Sequence, residues 1–289
     1  MIGFLLIDKS SGGTSFSCVR ELRKITGERR MGFLGTLDPL ATGLLVFALG
    51  EATKTLSYLE GLDKVYEAGV RFGGVSNTYD AEGEITEQEV LTRPVRADIQ
   101  KLLEEDFLGE RMQQPPVFSA IKVGGKRSYD LARRNQPVEL KPRKVHFYDL
   151  KISSYAWPHL RMTVHCSSGT YIRSLAHDLG GKLGCGGYVE ELRRTKIGSW
   201  DVKDSLPLAK LNSLNVGRHV IPVEDFLKDW PGLTVSAEEY EILKNGGFLE
   251  NRSGHKKGPI LAFYSEKCVG VLEIHSSGKL KFERRFNTV

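Results

Sequence analysis

The chain has 289 residues, of which 40% are hydrophobic and 27% are charged. This balance is ordinary for a globular protein, and the length suffices for one large domain or for a large and a small one. No apolar run reaches the ~18 residues that a membrane-spanning helix needs, which argues against a membrane protein. The apolar N-terminus has no basic lead, so it predicts a first strand and not a signal peptide.

The cysteines are scattered along the chain, and no two form a C-x-x-C pair: Cys18, Cys166, Cys185 and Cys268. This pattern shows no zinc or redox signature. The sequence therefore predicts buried free thiols in a cytoplasmic protein.

The net charge is only +5, but it is unevenly distributed. Segment 111–151 has ten Lys or Arg against three Asp or Glu, whereas segment 80–110 has three against ten. A basic segment beside an acidic one could follow a phosphate backbone, and it could equally be a solvated surface. Charge counts leave these two interpretations about even.

Hydrophobic periodicity and turn residues predict alternating strands and helices in the first 110 residues. A helix capped by Thr14 or Ser15 is expected to end at Gly27. The strand 64–72 alternates cleanly, with Tyr66 on its apolar face. The remaining predictions for this part are strands at 2–7 and 44–49 and helices at 52–59 and 97–107.

The same reasoning continues to the end of the chain. A helix opened by residues 168–170 carries Arg173 in its first turn, where a cation opposes the helix dipole, so a compensating carboxylate is expected. Residues 230–232 form a plausible linker to a small β-rich unit. The other predictions are strands at 117–123, 145–153, 160–166, 197–202, 259–264, 268–274 and 279–286, and short helices at 129–134 and 190–194.

One stretch stands out because it carries a single carboxylate between two glycines: Gly35-Thr36-Leu37-Asp38-Pro39-Leu40-Ala41-Thr42-Gly43. Pro39 fixes its own φ and biases Asp38 toward an extended backbone, while the glycines permit close approach of a ligand. A preset loop of this kind suits an active site. Taken alone, however, Asp-Pro more often caps a turn.

The order of residues in this stretch resembles the catalytic motif of the TruB family of tRNA pseudouridine synthases. Further matches follow downstream in the order of the family, so that the resemblance extends to about Asp225: Lys64-Val65-Tyr66-Glu67, Thr78-Tyr79-Asp80-Ala81-Glu82-Gly83, Gln114-Pro115-Pro116-Val117-Phe118-Ser119-Ala120, Ser168-Gly169-Thr170-Tyr171-Ile172-Arg173-Ser174-Leu175 and Glu191-Leu192-Arg193-Arg194. One departure lies inside the best motif. Phe33 stands where the family usually has a histidine that helps to hold the unfolded RNA loop.

The resemblance implies a role for each candidate site residue. Asp38 would be the nucleophile, with Arg173 as its charge partner, and Tyr66 would stack on the flipped uracil. Tyr171, Leu192 and the position of Phe33 would surround the bound loop. No metal or nucleotide cofactor is implied, and the sequence has no ligand cluster or phosphate-binding glycine loop.

The fold implied by the resemblance is α+β, with a mixed, mainly antiparallel central sheet flanked by helices and loops. Residues 1–229 would form the catalytic domain, with a basic RNA-gripping insertion near 111–151. Residues 230–289 would form a small PUA-like RNA-binding β barrel, although that segment by itself indicates only a small β-rich unit.

The implied activity is isomerisation of uridine 55 in the T arm of tRNA by a cytoplasmic, monomeric enzyme. The implied partner is the T-arm stem-loop, with no membrane and no metal. An alternative is a non-catalytic chaperone that opens the tRNA elbow by the same stacking and charge. A glycoside hydrolase fits less well, because that reaction normally needs paired carboxylates and the motif has one.

Overall fold

The computed structural model describes residues 1–134 and 136–287. Its strands are β1 (Gly3–Lys9), β2 (Met31–Leu34), β3 (Thr42–Leu49), β4 (Lys64–Phe72), β5 (Gly74–Ser76), β6 (Ile85–Glu87), β7 (Gly109–Gln113), β8 (Lys122–Val123), β9 (Lys126–Arg127), β10 (Arg143–Ala156), β11 (His159–Cys166), β12 (Gly187–Ile197), β13 (Trp200–Asp201), β14 (Leu206–Pro207), β15 (Gly232–Thr234), β16 (Ile260–Tyr264), β17 (Lys267–Ile274) and β18 (Leu280–Arg285). Its α-helices are α1 (Ser15–Thr26), α2 (Leu56–Leu59), α3 (Arg96–Leu102), α4 (Ser128–Ala132), α5 (Ile172–Lys182), α6 (Val223–Phe226) and α7 (Ala237–Lys244).

Most strands belong to one large sheet, in the order β14-β1-β3-β12-β4-β11-β10-β7, with β2 beside β3 and β13 beside β12. The pairs β1–β14 and β3–β12 are parallel, and the other pairs of this sheet are antiparallel. The central sheet is therefore mixed and mainly antiparallel, which confirms the predicted fold class.

The strand β4 shows why the alternating pattern was a reliable signal. Tyr66, Ala68, Val70 and Phe72 are all buried, whereas Glu67 is exposed. Tyr66, Ala68 and Val70 lie opposite apolar residues of β11, because the register pairs positions on the same face of the sheet. The predicted cap of α1 is also confirmed: the Thr14 side chain accepts from Ser17 N, and Gly27 ends the helix with a φ of 68°.

The predicted short helix at 190–194 is wrong, because these residues lie within β12. Glu, Leu and Arg have good helix propensity, but β12 pairs with β3 on one side and β4 on the other. Pairing on both edges satisfies the backbone and overrides the weak local preference. The predicted strand at 197–202 is reduced to β13, which follows a tight turn after Ile197.

The segment between β7 and β10 is also less regular than expected. Of the predicted strand 117–123 only β8 is extended, pairing with β9. Upstream, Val117 O accepts from Ser119 N (3.0 Å) and from Ser128 Oγ, which bends the chain into a turn. We call residues 114–134 and 136–142 the basic arm, since the flanking residues of the predicted insertion belong to β7 and β10.

Two predicted helices differ in detail from the structure. The helix expected at 52–59 starts as a 3₁₀ turn over Gly50–Thr55 before α2. The helix expected at 97–107 consists of α3 followed by a π turn over Leu103–Phe107. None of the helices in the described ranges is both long and apolar enough to cross a bilayer.

The C-terminal strands form a separate four-stranded sheet in the order β15-β16-β17-β18. The three predicted strands are confirmed as β16, β17 and β18, and α7 packs beside them. Among the described residues β15 and β18 end the strand order of this sheet, and Leu249 forms an antiparallel bridge to Leu280 of β18, so the structure shows a small β-rich unit in which the described strands do not close into a barrel. One face of this sheet packs against the large sheet. There Val271 and Phe286 form one buried cluster with Phe4, Leu6 and Phe226.

Candidate active site

The loop that carries the motif, residues 35–41, joins β2 to β3. The buried side chain of Lys9 reaches into it from the end of β1 and donates from Nζ to Ala41 O (2.7 Å) and Pro39 O (3.2 Å). Burial lowers the pKa of Lys9. The lysine therefore fixes the carbonyl groups on the C-terminal side of Asp38, and its positive charge favours the ionised form of that carboxyl group.

A second buried cation fixes the other side of the loop. Arg194, on β12, is 1% exposed and donates from Nε to Leu44 O (2.8 Å) and from Nη2 to Gly35 O (2.9 Å). The backbone of Arg194 also touches Gly43, where an added Cβ would lie 2.2 Å from Arg194 O. Gly43 is thus required for the close contact between the start of β3, where the loop ends, and β12.

Asp38 forms a turn with its backbone and an ion pair with its side chain. Its carbonyl accepts from Ala41 N at 3.1 Å, which fits the turn interpretation of Asp-Pro. Its carboxylate, however, meets Arg173: Arg173 Nη2 donates to Oδ1 at 3.1 Å and Nε lies 2.9 Å from Oδ2. The turn and the charged pair coexist, so the loop presents an oriented carboxylate.

Arg173 lies in the first turn of α5, and the compensating carboxylate expected there is present twice. Besides Asp38, the buried carboxylate of Asp80 has its Oδ2 atom 3.3 Å from Arg173 Nη1. The guanidinium also donates to Thr78 O (2.9 Å) and Phe118 O (3.0 Å). Arg173 is therefore held by fixed groups of three different segments, and it in turn fixes Asp38.

The surroundings of Asp38 act on its charge in opposite directions. Loss of water around the carboxyl group is the largest effect and raises its pKa, and the nearby negative charge of Asp80 adds to this. Arg173 opposes them by favouring the ionised form. The pKa of Asp38 remains above its ordinary value, so the ionised carboxylate is more basic than that of a solvated aspartate.

A cavity of about 460 Å³ opens above Asp38. It is bounded by the motif loop, the starts of β4 and α5, the middle of β12 and two residues of the basic arm. All six of the predicted site residues line it: Phe33, Asp38, Tyr66, Tyr171, Arg173 and Leu192. The fold thus brings together residues that are 159 positions apart in the sequence, from 33 to 192.

Two family models match this chain in succession. One, described as the N-terminal domain of TruB family pseudouridylate synthase, covers residues 23–172. The other, described as the C-terminal domain of tRNA pseudouridylate synthase B, covers residues 173–228. The chain belongs to the TruB family.

Curated relatives agree with this assignment, and each is named tRNA pseudouridine synthase B. The Clostridium acetobutylicum protein is 39% identical over 259 residues, covering 90% of this chain and 89% of its own. The Pseudomonas fluorescens protein is 37% identical over 286 residues, covering 96% and 93%. The family resemblance predicted from the motifs is confirmed, and so is the enzyme class that it implies.

Solved structures share the TruB-family fold at lower identity. A Cbf5-Nop10-Gar1 complex contains a chain with a TM-score of 0.74 and 23% identity, covering 99% of this chain and 85% of that one. An H/ACA ribonucleoprotein bound to a substrate RNA containing 2′-deoxyuridine gives a TM-score of 0.72 and 22% identity, with the same coverage. These matches show a pseudouridine synthase fold.

Tyr66 and Leu192 form the apolar floor of the cavity of this TruB-family chain. Tyr66 comes early in β4 and is 9% exposed, while Leu192 on the adjacent β12 is 7% exposed. Burial raises the pKa of the Tyr66 phenol, so its ring is uncharged at neutral pH. A flat neutral ring beside a carboxylate can support a planar base.

Tyr171 is half-buried at the N-terminus of α5. Its backbone is fixed by the amide of Gln113, which accepts from Tyr171 N (2.8 Å) and donates to Tyr171 O (2.9 Å). The Arg143 guanidinium carbon lies 5.6 Å from the centre of the Tyr171 ring. This wall of the cavity therefore combines a ring with a positive charge at the base of the arm.

Phe33, the position that departs from the family, is half-buried in β2. It lies directly across from Phe47 of β3, with ring centres 5.9 Å apart, and its ring also forms a T-shaped contact with the ring of Phe16. Phe33 thus packs against the core on one side and lines the cavity on the other.

Sequence reasoning missed several residues that shape this site: Lys9, Asp80 and Arg194. Asp80 and Arg194 stand inside family motifs, so position alone could have suggested them. Lys9 follows an apolar strand without a break, and a lysine at the end of such a strand is a weaker signal. Among the described residues, no three His, Cys, Asp or Glu side chains are grouped as a metal site.

Proposed function

We propose that this protein converts uridine to pseudouridine at position 55 in the T arm of tRNA, with Asp38 as the nucleophile. Membership in the TruB family supports the reaction class, and the relatives are named for tRNA. The observation that carries the proposal for the site is the oriented pair of Asp38 and Arg173 at the bottom of a cavity lined by Tyr66.

The reaction needs no other reactant. The bond between N1 of uracil and C1′ of ribose breaks, the uracil turns, and C5 bonds to C1′. The proton on C5 is lost and N1 gains one, so product and substrate are isomers. A carboxylate nucleophile can add to the base or to C1′, and both routes require the ionised form of Asp38. Arg173 contributes by stabilising and orienting that charge.

The target base must leave its stack to reach Asp38, at a cost of a few kcal/mol. Tyr66 would offset this cost, since stacking of a base on an aromatic ring contributes ~1–3 kcal/mol. Phe33, Tyr171 and Leu192 would contact the same nucleotide and its neighbours. The cavity is bounded by these side chains on several sides, which suits a flipped base better than a paired one.

Two further parts of the chain would bind the rest of the RNA. The basic arm contributes Ser119 and Ala120 to the cavity and carries an excess of Lys and Arg, so it would grip the backbone of the stem-loop. We propose that residues 230–289 are a PUA-like unit that contacts tRNA outside the T arm. Residues 1–229 would then contain all of the catalytic groups.

The test compares Asp38→Asn with Asp204→Asn, a matched change at an exposed residue far along the chain. Asp38→Asn should abolish pseudouridine formation at position 55 while retaining affinity for the stem-loop, because an amide is a very poor nucleophile. Asp204→Asn should behave as the wild type. Pseudouridine mapping of treated transcripts and equilibrium binding measure the two properties. Robust turnover by Asp38→Asn would disprove the assignment, and a protein that only opened the tRNA elbow would produce no pseudouridine at all.

A further inference from the structure

Phe16 is a large apolar side chain at the surface next to the cavity. It lies in the first turn of α1 and is 48% exposed, whereas the buried apolar residues of that helix are Cys18, Val19 and Leu22. Its ring meets Phe33 edge to face, with ring centres 5.2 Å apart and an angle of 83°. The Phe33 ring, which lines the cavity, therefore lies between Phe16 and the cavity.

Together with its neighbours, Phe16 completes a row of three aromatic rings. Phe47 is fully buried in β3, Phe33 is half-buried in the cavity wall, and Phe16 is at the surface. The ring centres are 5.9 Å and 5.2 Å apart along the row. Each ring is thus supported from behind by the next, so that Phe16 is held in place although half of it faces solvent.

The exposed ring of Phe16 is near a positive charge of the basic arm. The guanidinium carbon of Arg127, in β9, lies 5.4 Å from the centre of the Phe16 ring, and Arg127 Nη1 donates to Tyr129 Oη at 3.1 Å. A planar cation over the ring shows that a flat group fits there. Arg127 is at the same time within reach of any phosphate that follows a base onto this ring.

We propose that Phe16 is a second stacking residue, which receives an unpaired base of the same T-arm loop beside the flipped uridine. In this arrangement Arg127 leaves the ring and pairs with a backbone phosphate of that nucleotide. The inference rests on the proposed function, because the RNA that would bind here is the T-arm stem-loop named there. A base fits the site better than an apolar protein segment does, since Phe16 is a single ring that packs on the cavity-lining Phe33 and lies beside Arg127 of the basic arm.

The first experiment measures the affinity of the T-arm stem-loop for four variants of the full chain. Phe16→Ala and Phe16→Leu should each lower affinity by at least about fivefold, because neither offers a π face. Phe16→Tyr should keep wild-type affinity. Phe248→Ala, a matched change at a ring that is 44% exposed in the C-terminal part, should have no effect. Wild-type affinity in Phe16→Leu, or a loss in Phe16→Tyr as large as that in Phe16→Ala, would overturn the proposal.

The second experiment uses the salt dependence of binding. It distinguishes a loss of stacking at Phe16 from a shift of the basic arm that would move Arg127 away from the RNA. Stacking is not electrostatic, so Phe16→Leu should leave the slope of log affinity against log salt unchanged. Arg127→Gln should reduce the slope by about one, as expected for a lost phosphate contact. A reduced slope in Phe16→Leu, or an unchanged slope in Arg127→Gln, would contradict the arrangement. Both measurements are of binding, so they remain informative even if position 55 proves not to be the target.

Discussion

Arg173 Nε lies 2.9 Å from Oδ2 of Asp38, and the two side chains differ greatly in exposure, at 5% and 36% respectively. The cation is thus the fixed, buried partner, and the carboxylate is the one that faces the cavity. A nucleophile needs this asymmetry, because it must be held in place and still be reachable. The asymmetry also makes the two residues respond differently to mutation and to pH.

The raised pKa of Asp38 predicts a pH dependence of both activity and stability. Activity should fall on acidification at a pH above that expected for an ordinary aspartate, because the proposed attack by Asp38 requires its ionised form. Folded protein binds the Asp38 proton more tightly than the unfolded chain does. The stability that Asp38 contributes is therefore fully present below its pKa in the unfolded chain. It is lost as the pH rises through the higher pKa that Asp38 has in the folded protein.

Asp38→Asn tests the sign of this linkage. Its melting temperature should be at least that of the wild type at pH 7, and the difference should shrink as the pH falls through the raised pKa of Asp38, where the wild-type carboxyl group becomes protonated. Thermal melts at several pH values, with Asp204→Asn as the reference, provide the measurement. A marked loss of stability at pH 7 in Asp38→Asn alone would show that the charged pair stabilises the fold.

Arg173→Met should reduce both turnover and stability, because Arg173 serves Asp38 and Asp80 together. Removing the guanidinium leaves the buried Asp80 without its cation, and breaking a buried pair typically costs ~3–5 kcal/mol. Adding Asp80→Asn removes the uncompensated charge, so the double variant should recover part of the melting temperature. Its turnover should stay low, since Asp38 still lacks its partner. Recovery of turnover together with stability would indicate a purely structural role for Arg173.

Gly43→Ala should destabilise the protein and impair catalysis together. Gly43 has a φ of 98°, and a Cβ there would lie 2.2 Å from Arg194 O, so either β3 or β12 must shift. Strain of this backbone kind alone costs ~1–3 kcal/mol. Gly12→Ala is the matched control, because Gly12 also has a positive φ, of 85°, but nothing within 4 Å of an added Cβ. Urea unfolding of both variants should show the larger loss for Gly43→Ala, and equal losses would mean that the contact with Arg194 is easily relieved.

The sequence predicted the strands that alternate and the glycine that ends α1, because these depend on local pattern. It predicted the cavity residues, and Asp38 as the partner of Arg173, through the family motifs, whereas the helix dipole predicted only that Arg173 has a compensating carboxylate. It failed at β12, where helix-forming residues are held in the centre of a sheet by two distant strands. It also gave no role to Lys9 or Asp80, because their function depends on contacts with segments that lie at least 30 residues away, such as Lys9 with Pro39 and Ala41.

The shared core between the two sheets changes what removal of the C-terminal part should do. A chain ending at Gly232 loses Val271 and Phe286, which pack in one cluster with Phe4 and Phe226. We therefore expect residues 1–232 to melt at a lower temperature than the full chain. Below that temperature the shortened protein should still modify an isolated T-arm stem-loop, while its affinity for whole tRNA falls.

Point changes in the full chain separate RNA binding from this loss of core packing. Lys256 and Lys257 are exposed in the loop before β16, so Lys256→Gln with Lys257→Gln should leave the melting temperature unchanged. If residues 230–289 bind tRNA, the double variant should weaken the affinity for whole tRNA and spare the stem-loop. Melting curves, the two affinities and stem-loop turnover are the measurements. A shortened protein that stays folded but has no stem-loop activity would show that the catalytic unit extends past residue 229, because its active site would then need groups from the C-terminal sheet.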